Sequence, residues 1–172
     1  WSTAVDVGAL SHWTKDVQVY DPSAGTGPIT TTDISGLDAS GGWGASEVVG
    51  GKLYCIGGVD ASGSSWTDIS RVRVLDISGN AGRVDASNIS VARHGMASAV
   101  VDNRYIYILG GNDDASGVFN ILDTSDNSFK DSSNVEIVGY PSQIAGGFSN
   151  GVAGADLSGN VYIIGGTRDG VT

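Results

Sequence analysis

KLYCIGG, residues 52–58, decides the fold because it returns twice, as RYIYILGG at 104–111 and as NVYIIGG at 160–166. The closing glycines Gly58, Gly111 and Gly166 stand 111 − 58 = 53 and 166 − 111 = 55 residues apart. Trp13, Trp66 and Phe119 keep the same beat, 53 residues apart each time. After each aromatic comes a short apolar segment closing in an aspartate: VQVYD to Asp21, VRVLD to Asp76 and FNILD to Asp123. A period in this range marks a repeat architecture in which no single unit can bury its own apolar faces.

Each unit reads as four short strands. The first is modestly alternating, as in ASEVV (45–49) and MASAVV (96–101), and the second is the apolar run before the Gly-Gly pair. The third is VQVY, VRVL or FNIL, and the fourth is weak, as in RVDASNIS (83–90). A strand that is apolar on both faces needs cover on both sides. Stacking each small sheet between two neighbours in a propeller supplies that cover. The Gly-Gly pair suits a strand end where backbones crowd or φ turns positive. MASAVV also places Ala92, Met96, Ala99 and Val100 on one helical face, but Gly95 and the strands expected at its counterparts favour β.

The apolar-Tyr-apolar-apolar-Gly-Gly run, with an aspartate-closed strand after it and a period near 50, resembles the kelch repeat of β-propellers. VARHGMASAVV, with Arg93 and His94 ahead of the first strand, is similar to the usual lead-in of a kelch blade. The resemblance covers about Trp13 to Gly166 and departs in one place. Kelch units carry a Trp on the outer strand, where only Phe129 stands here. It implies an all-β, kelch-type β-propeller of about three four-stranded blades, part of a larger six- or seven-bladed ring. The chain reads as a single partial propeller domain, 1–172, with units at approximately 12–64, 65–117 and 118–172. Trp1 in place of Met, and a phase that opens before a third strand and ends after a second, point to a longer parent chain. The alternative is a second copy that closes a six-bladed ring.

Gly (27), Ser (22) and Asp (17) make up 66 of the 172 residues, against 2 Glu and 3 Lys. Such turn-rich composition, poor in helix formers, excludes a helical bundle. The 40% apolar content is enough for a core and argues against wholesale disorder. A formal charge of −10 disfavours nucleic acid and anionic membranes as partners. No run approaches the roughly 18 apolar residues of a membrane helix, so membrane insertion is not expected.

No catalytic residue is assigned, because no motif for acyl transfer, P-loop chemistry or zincin hydrolysis occurs. Cys55, within an apolar run, is expected to be a buried thiol. His12 and His94 fall at different blade positions and are read as loop histidines, so no metal site is assigned. The copper-radical oxidases built on kelch propellers need two His, a Tyr and a Cys-linked Tyr around one metal. Tyr54, Tyr105, Tyr107 and Tyr162 lie in second strands and read as buried fold positions instead. GGW and GGK between Gly41 and Lys52 read as tight turns, not as a phosphate cradle. DASG at Asp38, Asp60 and Asp114 is reminiscent of the aspartate-box turn, and self-capping turns account for it. Calcium is the one cofactor to consider, through Asn112, Asp113 and Asp114, short of the six to eight oxygens the ion prefers.

The expected function is non-catalytic: protein–protein interaction or scaffolding through blade loops, as the kelch resemblance implies. The expected surface is the loops after the Gly-Gly pairs, with Asp60, Trp66, Asp113, Asp114 and Phe119. Alternatives are part of a carbohydrate-active or copper-oxidase-type propeller, and a structural subunit of a large complex. Asn88-Ile89-Ser90 matches the N-glycosylation pattern. With low Lys and Ser-, Thr- and Asp-rich loops, it fits an extracellular or lumenal protein better than a cytoplasmic one.

Overall fold

The apolar runs of the repeat become the middle strands of small antiparallel sheets. A computed structural model describes residues 18–19, 29–30, 41–60, 65–77, 84–112, 118–130 and 148–167. In chain order the strands are β1 (Gln18–Val19), β2 (Ile29–Thr30), β3 (Gly41–Gly42), β4 (Ala45–Val49), β5 (Lys52–Ile56), β6 (Val59–Asp60), β7 (Thr67–Asp68), β8 (Val72–Asp76) and β9 (Val84–Asp85). They continue with β10 (Ala97–Val101), β11 (Tyr105–Leu109), β12 (Phe119–Asp123), β13 (Ser128–Lys130), β14 (Val152–Ala155) and β15 (Val161–Ile164). No helix occurs among the described residues, so none there is long and apolar enough to cross a membrane.

Two four-stranded antiparallel sheets, β4-β5-β8-β9 and β10-β11-β12-β13, carry the same neighbour order, and β14-β15 begins a third. The register matches between them: Ile56 faces Val72 and Leu109 faces Phe119 at one end. Lys52 faces Asp76 and Tyr105 faces Asp123 at the other. MASAVV is therefore a strand over Ala97–Val101, paired in full with β11. The weak fourth strand shrinks to Val84–Asp85, and Phe129 occupies the outer strand of the next sheet, opposite Leu122.

The middle sheet is covered on both faces, as its sequence demands. Ile106, Ile108 and Leu122 pack with Tyr54, Ile56 and Val74 of the preceding sheet. Tyr105, Leu109 and Ile121 pack with Phe148, Ala153 and Val161 on the other side. Successive residues of β11 thus enter alternate cores, the period-2 consequence of a doubly buried strand. Tyr54 is 1% exposed and its hydroxyl donates to Asn127 Oδ1 at 3.2 Å in the next sheet. Its counterpart Tyr162 is 53% exposed, which corrects the expectation that all the second-strand tyrosines are buried. Tyr162 instead donates to Asp156 Oδ2 at 2.9 Å within its own hairpin.

The aromatic beat, unlike the glycine beat, does not mark equivalent positions. Phe119 opens β12, whereas Trp66 precedes β7 in a short hairpin inserted between β5 and β8. The counterpart of Phe119 is Val72, so a longer connection in one sheet produced an equal spacing by coincidence.

Backbone hydrogen bonds join the sheets at the end where strand two leaves and strand one arrives. The Gly58 N–H donates to the Arg93 carbonyl and the Gly111 N–H to the Phe148 carbonyl. Gly58 sits at φ +103, where a Cβ would stand 2.6 Å from the Gly42 carbonyl oxygen. A second series runs through the residues two places ahead of each inner strand. The Gly95 N–H donates to the Trp43 carbonyl at 2.8 Å, and the Asn150 N–H to the Gly95 carbonyl at 2.7 Å. All three are left-handed, at φ 56, 66 and 57 for Trp43, Gly95 and Asn150.

Candidate functional site

The connections from strand two to strand three, and those leading into strand one, converge at one end of the sheets. There β3 delivers Trp43, the β6–β7 hairpin delivers Trp66 and Asp68, the lead-in to β10 delivers His94, and the end of β11 delivers Asn112. The Trp43 and Trp66 rings meet edge to face, centroids 4.7 Å apart and planes at 72°. The His94 ring lies 5.5 Å from Trp43, tilted by 34°. Trp43 is 52% and Trp66 43% exposed, so the pair forms an aromatic corner open to solvent.

Trp43 holds this place against a local penalty. Glycine and asparagine, at its counterparts Gly95 and Asn150, are the residues that tolerate the left-handed region. A bulky aromatic there costs roughly 1–3 kcal/mol and persists only where surrounding structure enforces it. The Gly95 hydrogen bond to its carbonyl and the contact with Trp66 supply that enforcement.

Behind the rings lies a closed polar network. The His94 ring Nδ1 donates to Asp68 Oδ1 at 2.7 Å, and Asn112 Nδ2 donates to Asp68 Oδ2 at 2.7 Å. The His94 backbone N–H donates to Asn112 Oδ1 at 3.1 Å, and the Asn112 N–H to the His94 carbonyl at 2.9 Å. The network explains why His94 is more than a loop histidine. It also engages the Asn112 side-chain oxygen that the calcium reading needed.

Beneath it, Arg93 has no exposed surface. Its Nε donates to the Gly110 carbonyl at 2.8 Å, Nη2 to Asn120 Oδ1 at 2.9 Å and Nη1 to the Val91 carbonyl at 3.2 Å. Burial lowers its pKa to about 10, which leaves it charged at neutral pH. Arg93 and His94 therefore divide the labour of the lead-in: one braces the core, the other faces the surface.

Of the expected surface residues, Trp66 belongs to the corner and Asp60 lies in β6, on the same hairpin. Phe119 is 8% exposed and packs edge to face on Tyr107 at 5.6 Å, so it is a core residue, correcting its assignment to the loop surface. Asp113, Asp114, Asp38 and His12 lie outside the described residues. Asn88 is exposed, and Ser90 of the same pattern hydrogen-bonds with Asn120. Cys55 is half-buried, and burial pushes its thiol pKa up, with Arg73 opposing, which is the setting of an unreactive thiol. Among the described residues no three His, Cys, Asp or Glu side chains gather to hold a metal.

Sequence reading missed Trp43 and Asp68. The only trace of the first was an aromatic where the neighbouring units have Gly and Asn. Asp68 carried no motif, since its role depends on a hairpin that only tertiary structure closes over His94.

The segment that builds the hairpin and the sheet around it also identifies the repeat. Residues 44–81 match the Kelch motif. The matched kelch segment runs from the residue before β4 through β8, and so includes the β6–β7 hairpin of the aromatic corner. The next sheet repeats its strand order and register, so the described residues are all-β, with four-stranded sheets of kelch-propeller type. No curated protein matches the chain in a sequence comparison.

Proposed function

We propose that this kelch-repeat chain is a non-catalytic interaction module that docks a partner protein on the loop end carrying Trp43 and Trp66. The observation that carries the reading is the exposed, edge-to-face tryptophan pair, held by a strained backbone and a closed polar network. Rigid exposed aromatics of this kind are the usual anchors of interfaces. Kelch repeats commonly mediate protein contacts, which supports the same conclusion. Further blades come from a longer chain or a second copy. Exposed Val152, Ile163 and Ile164 on β14 and β15 support this, being the apolar surface that a following blade would cover. An extracellular or lumenal setting, with a glycan on Asn88, accompanies this reading.

The test compares proteins captured by the wild-type chain and by Trp66→Ala, with circular dichroism confirming that both are folded. Selective loss of specific partners from the variant supports the module. An unchanged set of partners overturns the assignment of this surface.

A further inference from the structure

We propose that the open edge of β15 is completed by β1 and β2 of a second copy of this chain, so that two copies close one ring of six blades. The inference rests on the need for further blades stated above and is independent of the tryptophan corner. By register, β14–β15 is the strand-one and strand-two half of a blade: Val152 faces Ile164 as Ala97 faces Leu109 and Ala45 faces Ile56. Among the described residues no strand pairs with the other edge of β15. Its side chains show the consequence. Ile164 is 63% and Ile163 40% exposed, whereas their counterparts Leu109 and Ile108 are 3% and 0% exposed. An unpaired edge lined by apolar side chains is the surface that strand addition uses.

β1–β2 is the complementary half. Val19 faces Ile29 and Gln18 faces Thr30, spans of 10 and 12 residues (29 − 19 and 30 − 18). The hairpin of strands three and four in the first complete sheet has the same two spans, Val74 to Val84 and Arg73 to Asp85 (84 − 74 and 85 − 73). The sequence agrees, since Asp21 closes VQVYD as Asp76 closes VRVLD, which aligns Gln18 and Val19 with Arg73 and Val74. Along one chain the two halves flank two complete sheets, three blades in all, fewer than the four to eight around which a propeller closes. Two copies supply six, related by a twofold axis and joined at two identical seams. The complete sheets also fix the register of each seam. Tyr54 faces Val74 and Tyr107 faces Ile121, so Tyr162 faces Val19 of the second copy.

The experiment takes the full chain, with Cys55→Ala so that introduced thiols stand alone. Light scattering after gel filtration should give twice the chain mass. Tyr162→Cys combined with Val19→Cys should oxidise to a covalent dimer and to nothing larger, because residues directly opposite in an antiparallel pair lie within disulfide reach. Tyr162→Cys combined with Gln18→Cys, one residue out of register and on the opposite face, should not. Ile164→Lys changes a side chain already exposed in the single chain. It should weaken association at least about 10-fold by placing a charge in the seam, with the circular dichroism unchanged. A chain that stays monomeric at high micromolar concentration overturns the proposal and leaves the remaining blades to a longer chain. A disulfide formed within one chain, or a ladder of larger covalent multimers, overturns it in favour of self-pairing or of an open array. Dimers that survive Ile164→Lys and fail to cross-link through Tyr162→Cys and Val19→Cys associate through another surface and also overturn it. None of these outcomes alters the partner loss expected of Trp66→Ala, so the docking surface stands or falls separately.

Discussion

Replacing Gly58 with alanine tests the close approach of the two backbones beneath the aromatic corner. At φ +103 an L-residue lies outside the common left-handed basin, a cost of about 1–3 kcal/mol. The new Cβ would also stand 2.6 Å from the Gly42 carbonyl oxygen and 3.0 Å from the Gly44 nitrogen, both main-chain atoms that no rotamer change can move. Forcing them apart adds about 1–3 kcal/mol of overpacking. The sum, about 2–6 kcal/mol, corresponds to a fall in Tm on the order of 10 °C for a chain of this size. Gly50 is the control, at φ +57 with nothing within 4 Å of its Cβ position, so Gly50→Ala should cost only about 1–2 kcal/mol. Thermal and urea denaturation followed by circular dichroism measures both variants. Equal losses would show that conformation alone, and not the crowding against Gly42 and Gly44, sets the requirement for Gly58.

Phe119→Ala should destabilise the chain by about 3–5 kcal/mol, and Trp66→Ala by far less, as measured by urea unfolding; the reverse order would restore Phe119 to the surface. Arg93→Met removes the side-chain donor to the Gly110 carbonyl and leaves Asn120 Oδ1 with only the Ser90 hydroxyl, and should cost about 2–4 kcal/mol, with Lys a poor rescue because one ammonium cannot span three diverging acceptors. Asp123 is wholly buried, and its carboxyl is held well below the usual carboxylate range, first by Arg104 and then by Ser125 and Lys130. A depressed carboxyl stabilises the fold above its unfolded pKa, near 4, and that stability is lost as pH falls through the lower folded value. Asp123→Asn should therefore cost about 2–3 kcal/mol at pH 7 and flatten the acid limb of a stability–pH profile; an unchanged limb would assign acid unfolding to other groups.

The strands that were legible from sequence are those with apolar side chains at consecutive positions. YIYIL uses them on two covered faces, KLYCI buries one face and half-buries the other, and VYII carries the same pattern although its side chains are largely exposed. The outer strands were faint because each has one neighbour: β9 spans two exposed residues, and only Phe129 signals β13. The site was legible in pieces. Trp66 and His94 stood out as residue types, but the contact between them runs through Trp43, 23 positions before the first and 51 before the second (66 − 43 and 94 − 43). Equal spacing misled at Phe119, because Trp66 and Phe119 both stand eight residues after a repeat glycine (66 − 58 and 119 − 111), but the longer connection after Gly58 puts the first in a hairpin and the second at the start of a strand.

The left-handed series through Trp43, Gly95 and Asn150 has a consequence for how such chains grow. Gly95 donates to the unit before it and accepts from the unit after it, so the same coupling works whatever stands on either side. A duplicated unit would arrive with both halves of the connector already in place, and the array could lengthen by whole repeats without new contacts being devised. Within that constant coupling the side chain at the joint is free to differ, and one unit has used this freedom to carry a tryptophan where its neighbours carry a hydrogen atom and a carboxamide.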